Sequence, residues 1–205
     1  MNIQHGIYAI TDCDRLSSQD LLDKTEILLS HGIAMMQYRN KQNSSAQRYK
    51  LACQLQSLCQ RYDTPLIIND DLELAVELNA DGLHLGKDDT DIGTARHKLA
   101  DKIIGISCYN DLGRARAAEQ AGADYVAFGA FFTSSIKPGA VKPPVSILTE
   151  ARQQLTVPIV AIGGITPDNG SALLTAGADM LAIISGLYAV TDTEHALLEY
   201  QQLFT

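Results

Sequence analysis

The stretch Ala121-Gly122-Ala123-Asp124 ends one helical pattern and opens an apolar run that continues to Gly129. A near copy, Ala176-Gly177-Ala178-Asp179, leads in the same way into the apolar run that begins at Met180. Glycine at the end of a helix adopts the left-handed backbone conformation at low cost. A short helix-to-strand turn that recurs along a chain is typical of a fold built from repeated strand–helix units.

Related turns at 31–34 (His-Gly-Ile-Ala) and 78–81 (Leu-Asn-Ala-Asp) extend this repeat towards the N-terminus. Strands that alternate with helices predict a parallel sheet joined by right-handed crossovers. Eight such units in a chain of 205 residues match a small barrel. We therefore expect one domain over residues 1–205, a single (β/α)8 TIM barrel, with an open doubly wound sheet as the alternative. The predicted strands are 6–10, 34–39, 65–69, 82–85, 103–107, 124–129, 157–163 and 180–185.

The composition argues against two classes of partner. The formal net charge is −8 and the pI is about 5.0, whereas a protein that binds duplex nucleic acid needs a basic face. The apolar runs are far shorter than the roughly 20 residues of a membrane helix, and the N-terminus lacks a signal-peptide pattern. We expect no nucleic-acid or membrane partner and a cytoplasmic location. The sequence leaves the oligomeric state open.

Charged residues follow several predicted strands at the end where barrel enzymes place their active sites. Arg39, Lys41 and Lys137 are cations that can neutralise a phosphate or diphosphate. Asp70 and Asp89 follow the adjacent third and fourth strands, and carboxylate oxygens suit Mg²⁺. Taken singly, each aspartate could instead cap the helix that follows it.

Small residues follow the last two predicted strands. Gly163-Gly164 and Ser185-Gly186 lie where barrels often bind phosphate through backbone N–H groups, and a helix after Thr166-Pro167 would add its dipole. Together with the cations, this predicts two anion sites and therefore two phosphorylated small-molecule substrates. His84, inside a strand, is expected to be a hydrogen-bonded interior residue.

Five motifs together resemble the thiamine-phosphate synthase family, in order and over residues 6 to 186. The most specific are the Asn69-Asp70 pair and the His84-x-Gly86-x-x-Asp89 element. The motifs are Tyr8-Ala9-Ile10-Thr11-Asp12, Gln37-x-Arg39-x-Lys41, Ile68-Asn69-Asp70, Asp81-Gly82-x-His84-x-Gly86-x-x-Asp89 and Ala161-Ile162-Gly163-Gly164-Ile165.

The resemblance implies a transferase that joins two precursors. The diphosphate of 4-amino-5-hydroxymethyl-2-methylpyrimidine would lose pyrophosphate, and the nitrogen of a thiazole phosphate would attack the exposed methylene to give thiamine phosphate. It implies Mg²⁺ bound by Asp70 and Asp89, with Arg39, Ser107 and Lys137 as catalytic residues. The residues implied to bind the pyrimidine diphosphate are Gln37, Tyr38, Arg39, Asn40, Lys41, Asn69, Ser107 and Lys137. Those implied for the thiazole phosphate are Ser134, Ser135, Ile136, Gly164, Ile184 and Ser185.

One position departs from the family pattern. The loop after the sixth strand usually carries Thr before its Lys, but here Ile136 precedes Lys137. The missing hydroxyl would cost one hydrogen bond, roughly 0.5–1.5 kcal/mol. We expect Ile136→Thr to lower the KM for the thiazole phosphate in steady-state assays, and an unchanged or higher KM would contradict this expectation.

Three other functions compete with the synthase. A thiazole tautomerase shares this barrel but handles no diphosphate, so it does not require Arg39, Lys41, Asp70 and Asp89 together. A sugar-phosphate epimerase or decarboxylase could use the Asn-Asp pair but not the Gln-x-Arg-x-Lys loop. A catalytically silent thiamine-pathway binding protein would bind the substrates without turnover.

Overall fold

The computed structural model describes residues 5–133 and 142–205, and in it eight parallel strands form a closed barrel. Because β1 pairs with β8 as well as with β2, the sheet has no edge strand, and the doubly wound alternative is wrong. The strands are β1 (Gly6–Ile10), β2 (Met35–Tyr38), β3 (Leu66–Asn69), β4 (Gly82–Leu85), β5 (Ile103–Tyr109), β6 (Tyr125–Gly129), β7 (Ile159–Ile162) and β8 (Met180–Ile183).

Helices alternate with the strands as the periodicity predicts. One prediction about the last strand is wrong: β8 ends at Ile183, and Ser185, expected at the strand end, begins a short extra helix. The helices are α1 (Ser18–Ser30), α2 (Ser45–Arg61), α3 (Leu72–Glu77), α4 (Ile92–Leu99), α5 (Leu112–Gln120), α6 (Ser146–Gln154), α7 (Pro167–Thr175), α8 (Ser185–Tyr188) and α9 (Thr193–Gln201), followed by a 3₁₀ turn at Gln202–Phe204.

Aspartates cap two of the helices that follow strands near the carboxylate motifs. The Asp71 side chain accepts a hydrogen bond from the Leu74 N–H (3.0 Å), and Asp91 accepts one from the Thr94 N–H (2.9 Å). These are N-caps of α3 and α4. Asp70 and Asp89 are therefore not the capping residues and are left for another role.

The strands place side chains alternately inside and outside the barrel. In β1, Tyr8 and Ile10 belong to the interior cluster, whereas Ile7 and Ala9 pack in the larger layer between strands and helices. Burial raises the pKa of the Cys59 thiol in this outer layer to about 12, so that thiol remains protonated and serves as a packing residue. The interior is thus filled by side chains except at the carboxyl ends of the strands.

The amino-terminal ends of the strands are joined by a repeated hydrogen bond. The aspartate that closes each of three recurring turns accepts the backbone N–H of the preceding odd-numbered strand. The pairs are Asp81 with Leu66 (2.9 Å), Asp124 with Ile104 (2.7 Å) and Asp179 with Ile159 (2.7 Å). The first turn carries Ala34 at this position and pairs through its backbone N–H with the Ile7 carbonyl (2.9 Å). Each even-numbered strand is thereby held to its odd-numbered neighbour at the face opposite the site.

No helix within residues 5–133 and 142–205 is both long and apolar enough to cross a membrane.

Candidate active site

A cavity of about 700 Å³ opens at the carboxyl ends of the strands, where barrel enzymes bind their substrates. Residues from all eight strands or the loops after them contribute to its lining. The predicted site residues that line it are Gln37, Arg39, Lys41, Asn69, Asp70, Asp89, Ser107 and Ile184. Groups distant in the sequence therefore meet at one opening.

The paired carboxylates lie on one rim of the cavity. The side chains of Asp70 and Asp89 are within hydrogen-bonding reach of each other, and Lys41 Nζ lies 3.2 Å from Asp70 Oδ2. Burial raises the pKa of the Asp70 carboxyl, Asp89 raises it further, and Lys41 opposes both effects. Two carboxylates thus lie side by side with a lysine paired to one of them, an arrangement that a bound cation would stabilise.

Local backbone geometry fixes the Asp70 carboxylate on this rim. Asp70 has a φ of 65°, and its N–H donates to the His84 carbonyl (2.9 Å), which extends the β3–β4 pairing by one residue. Aspartate and asparagine tolerate this left-handed conformation better than most other residues. The next residue, Asp71, is the N-cap of α3. Asp70 is therefore the single residue between β3 and the helix cap, and its backbone is held on both sides.

The Asp89 loop is held by polar contacts to its own backbone and to β5. Asp89 Oδ2 accepts from the Gly86 N–H (2.6 Å), and the Lys87 N–H donates to the Tyr109 hydroxyl (3.2 Å). Arg114 of α5 donates to the Gly86 carbonyl (2.9 Å) and to the Ser107 carbonyl (2.7 Å). The loop after β4 is therefore joined to the end of β5.

Two cations lie on the loop after β2. The Arg39 N–H donates to Thr11 Oγ1 (2.8 Å), and that hydroxyl donates back to the Arg39 carbonyl (3.1 Å), which joins the ends of β1 and β2. Arg39 is half-buried and Lys41 is exposed, and both line the cavity. Fixed cations beside paired carboxylates suit a ligand that combines a diphosphate with a metal ion.

Two residues of the predicted substrate-binding loop, Tyr38 and Asn40, are not among the described residues that line the cavity. The Tyr38 ring is buried in the outer layer, and its hydroxyl donates to the Arg48 carbonyl (3.1 Å). Asn40 donates to the Tyr38 hydroxyl (3.0 Å) and accepts the Asn43 N–H (3.2 Å). Because the loop alternates, residues 37, 39 and 41 face the cavity and these two shape the loop.

A chain of buried polar side chains crosses the floor of the cavity. Gln37 donates to the Tyr8 hydroxyl (2.7 Å), which lies 2.8 Å from the Tyr125 hydroxyl. The Tyr125 hydroxyl lies 2.9 Å from His84 Nδ1, and His84 Nε2 lies 2.8 Å from Ser107 Oγ. The prediction that His84 is a hydrogen-bonded interior residue is confirmed, and its ring also lines the cavity.

The opposite rim is formed by the ends of β7 and β8. Gly163 lines the cavity with a φ of 107°, and a methyl group there would overlap Ala130, so the approach of the two backbones requires glycine. Ile184 also lines the cavity, whereas the predicted Gly164 and Ser185 are not among the described residues that line it. The short helix α8 beginning at Ser185 occupies the place where many barrels bind phosphate.

Four predicted residues, Ser134, Ser135, Ile136 and Lys137, lie outside the described residues. Sequence reasoning also missed residues that the structure brings to the site: Tyr8 and Tyr125 from the barrel interior and Arg114 from α5. The alternation of β1 could have indicated an inward Tyr8. No local signal marks Arg114, because its two acceptors are carbonyl groups of other elements.

A closed (β/α)8 barrel with cations and paired carboxylates on one rim of a polar cavity, and small residues on the other, defines a class of barrel enzymes that act on phosphorylated small molecules. The family described as thiamine monophosphate synthase matches residues 7–187. The chain belongs to this family, whose members are transferases of thiamine biosynthesis.

Curated relatives agree with the family assignment. The thiamine-phosphate synthase of Nitrosococcus oceani is 51% identical over 200 residues, which cover 97% of this chain and 92% of that protein. The enzyme of the same name from Methylobacillus flagellatus is 50% identical over 200 residues, covering 97% and 95%. Among solved structures, thiamine phosphate pyrophosphorylase from Pyrococcus furiosus superposes with a TM-score of 0.89 at 29% identity, covering 98% and 96% of the two chains. These similarities favour the synthase over the tautomerase and epimerase alternatives.

Proposed function

We infer that this protein is a thiamine-phosphate synthase, which condenses 4-amino-5-hydroxymethyl-2-methylpyrimidine diphosphate with 4-methyl-5-(2-phosphoethyl)thiazole and releases pyrophosphate. The observation that carries the inference is the rim on which Arg39 and Lys41 lie beside Asp70 and Asp89. A tautomerase that handles no diphosphate has no need of this combination. The family membership and the full-length similarity to named synthases support the same reaction.

We propose that Asp70 and Asp89 bind Mg²⁺. No group of three or more His, Cys, Asp and Glu side chains suited to a metal occurs among residues 5–133 and 142–205, so a cage made of protein ligands alone is not the expected site. Mg²⁺ commonly binds through one or two carboxylates and completes its shell with water and substrate phosphate oxygens. Two facing carboxylates, one with a raised pKa, fit that donor set.

The bound Mg²⁺ would supply positive charge to the departing pyrophosphate. Arg39 would donate hydrogen bonds from its guanidinium group to the pyrophosphate oxygens. Lys41, which pairs with Asp70 in this structure, would add a second positive charge. The C–O bond to the pyrimidine methylene breaks, and the thiazole nitrogen forms the new C–N bond. Asn69 and Ser107 lie on the cavity wall, where they can orient the pyrimidine diphosphate. The reaction needs no protein nucleophile, so the remaining rate advantage comes from holding the two substrates in line.

The thiazole phosphate is assigned to the opposite rim. Gly164, Ile184 and Ser185 lie at the ends of β7 and β8, and α7 begins nearby with Thr166 as its N-cap. Backbone N–H groups and a helix N-terminus attract phosphate. The roles of Ser134, Ser135, Ile136 and Lys137, the cytoplasmic location and the lack of a nucleic-acid partner remain predictions from the sequence.

Turnover by the purified protein tests the proposal. With both substrates and Mg²⁺, thiamine phosphate is expected to accumulate, measured as thiochrome fluorescence after oxidation. EDTA should stop the reaction and excess Mg²⁺ should restore it, because the carboxylates repel an unscreened diphosphate. Folded protein that binds both substrates by isothermal titration but forms no product would instead indicate a silent binding protein. Product formation that is insensitive to EDTA would contradict the metal assignment alone.

A further inference from the structure

We propose that Tyr125 is a positioning residue, which directs a buried hydrogen-bond chain so that Ser107 presents its hydroxyl proton to the cavity. Tyr125 itself is fully buried and is absent from the cavity lining formed by the described residues. It acts through His84 and Ser107, which both line that cavity. The proposal deepens the proposed function, on which its substrate assignment rests.

The direction of donation along the hydrogen-bond chain is inferred from Gln37, its first member. The side-chain amide nitrogen of Gln37 is a donor only, and it lies 2.7 Å from the Tyr8 hydroxyl. We assign the Tyr8 proton to the Tyr125 hydroxyl at 2.8 Å, because the Tyr8 oxygen already accepts from Gln37 and its proton then has this acceptor within reach. On the same assignment, Tyr125 donates to His84 Nδ1 at 2.9 Å. Burial raises the pKa of both phenols, so both tyrosines keep the protons that this sequence of donors requires.

The same reasoning assigns the position of the proton on His84 and the hydrogen-bonding role of Ser107. A neutral imidazole that accepts at Nδ1 carries its proton on Nε2. His84 Nε2 lies 2.8 Å from Ser107 Oγ, and the serine therefore accepts from His84. Its own proton is then available to an acceptor in the cavity. At the other end of the chain, Gln37 keeps its carbonyl oxygen as an acceptor.

This polarity defines what the two ends of the chain can recognise. The Ser107 end offers a donor, which suits an anionic phosphate oxygen or an unprotonated ring nitrogen. The Gln37 end offers an acceptor, which suits an amino group. A substrate that carries both an amino group and a diphosphate matches the two ends, whereas a reversed chain would present the wrong group at each.

The packing around Tyr125 holds its hydroxyl in place. Its ring stacks on His84, with centroids 5.6 Å apart and an interplanar angle of 22°, and meets Tyr8 edge-on at 5.8 Å and 86°. On β5, Gly105 leaves the space that the Tyr125 ring fills, since a methyl group at that position would overlap the ring. The orientation of the phenol is therefore set on several sides.

The direct test is the tautomer of His84 in the free enzyme, read from ¹⁵N NMR of imidazole-labelled protein. The five histidines give five ring systems, and the His84 signals are identified by their loss in His84→Gln. We expect an unprotonated Nδ1 and a protonated Nε2. A proton on Nδ1 would overturn the proposal, and this readout is independent of turnover.

The kinetic test compares Tyr125→Phe with Tyr188→Phe. The first variant removes only the hydroxyl and keeps the stacked ring. Tyr188 is an equally buried tyrosine whose hydroxyl pairs with Thr25 (2.8 Å) outside the cavity. We expect Tyr125→Phe to lower kcat/KM for the pyrimidine diphosphate by about tenfold, as for one lost hydrogen bond, and to shift the His84 tautomer. Tyr188→Phe should leave both readouts unchanged.

Combination with Ser107→Ala separates positioning from general destabilisation. If Tyr125 acts through Ser107, Tyr125→Phe should cost little further kcat/KM in the Ser107→Ala background. Full additivity of the two effects, or wild-type kinetics and tautomer in Tyr125→Phe, would overturn the proposal. If the wild-type enzyme forms no thiamine phosphate, the proposed function fails, and the NMR measurement still decides the direction of the chain.

Discussion

Replacement of Asp70 by asparagine is expected to reduce Mg²⁺-dependent turnover by at least about 10²–10³-fold, the usual cost of removing a group that stabilises charge in the transition state. Asparagine keeps the shape of the side chain and tolerates the φ of 65° at this position. It removes the charge that would hold the metal opposite Asp89. The fold should be retained, because the substitution also removes a carboxylate whose pKa is raised by burial and by Asp89.

The neighbouring Asp71 offers a matched control. Asp71→Asn keeps a good N-cap on α3 and weakens only the ion pair with Arg48 (3.3 Å). Its turnover and Mg²⁺ requirement should stay close to those of the wild type in the thiochrome assay. Wild-type turnover in Asp70→Asn, or an equal loss in both variants, would remove the basis for the metal assignment.

The second large effect is expected for Gly105→Ala in β5. The added methyl group would overlap the Tyr125 ring, and the strand cannot move away because β4 and β6 pair with it on both sides. Overpacking of this kind costs roughly 1–3 kcal/mol and sometimes more. We expect a lower urea midpoint of unfolding, together with a loss of activity as the phenol is displaced from His84.

Gly113→Ala in α5 serves as the control for this substitution. The nearest atom to its new methyl group is the Asp111 carboxylate oxygen at 3.2 Å, and alanine favours the helix, so stability should stay within about 1 kcal/mol of the wild type. A second change, Tyr125→Leu, should restore part of the stability lost in Gly105→Ala. An unchanged urea midpoint for Gly105→Ala would show that the space between Gly105 and the Tyr125 ring accommodates a methyl group.

The barrel could be predicted from the sequence because its signals are local. Glycine or asparagine at helix ends marked the four even-numbered strands, and apolar runs between helical patterns placed all eight strands to within a few residues. The rim formed by Arg39 and Lys41 with Asp70 and Asp89 followed from the same reasoning, since strand ends of a barrel converge. The end of β8 was misplaced because Ser185 carries no strong helix-start signal of its own.

Other features could not be predicted, because they depend on register between distant strands. The contact of Tyr8 with Tyr125 joins residues 117 positions apart, and no local pattern identifies such a pair. The alternation that turns Tyr38 outward depends on where β2 ends. Likewise, the sequence left open which aspartate of each cluster caps a helix, until the contacts of Asp71 and Asp91 decided it.

The aspartates that close three of the recurring turns have a consequence for modularity. Asp81, Asp124 and Asp179 hold pairs of strands together at one face by the same hydrogen bond, while the loops at the opposite face differ from one another. These three hydrogen bonds, which help to close the barrel, thus lie at the face opposite the residues proposed for catalysis. If the loop after β2 or β4 were exchanged with that of another barrel, substrate preference should change, and these three carboxylates would still join their strand pairs at the opposite face.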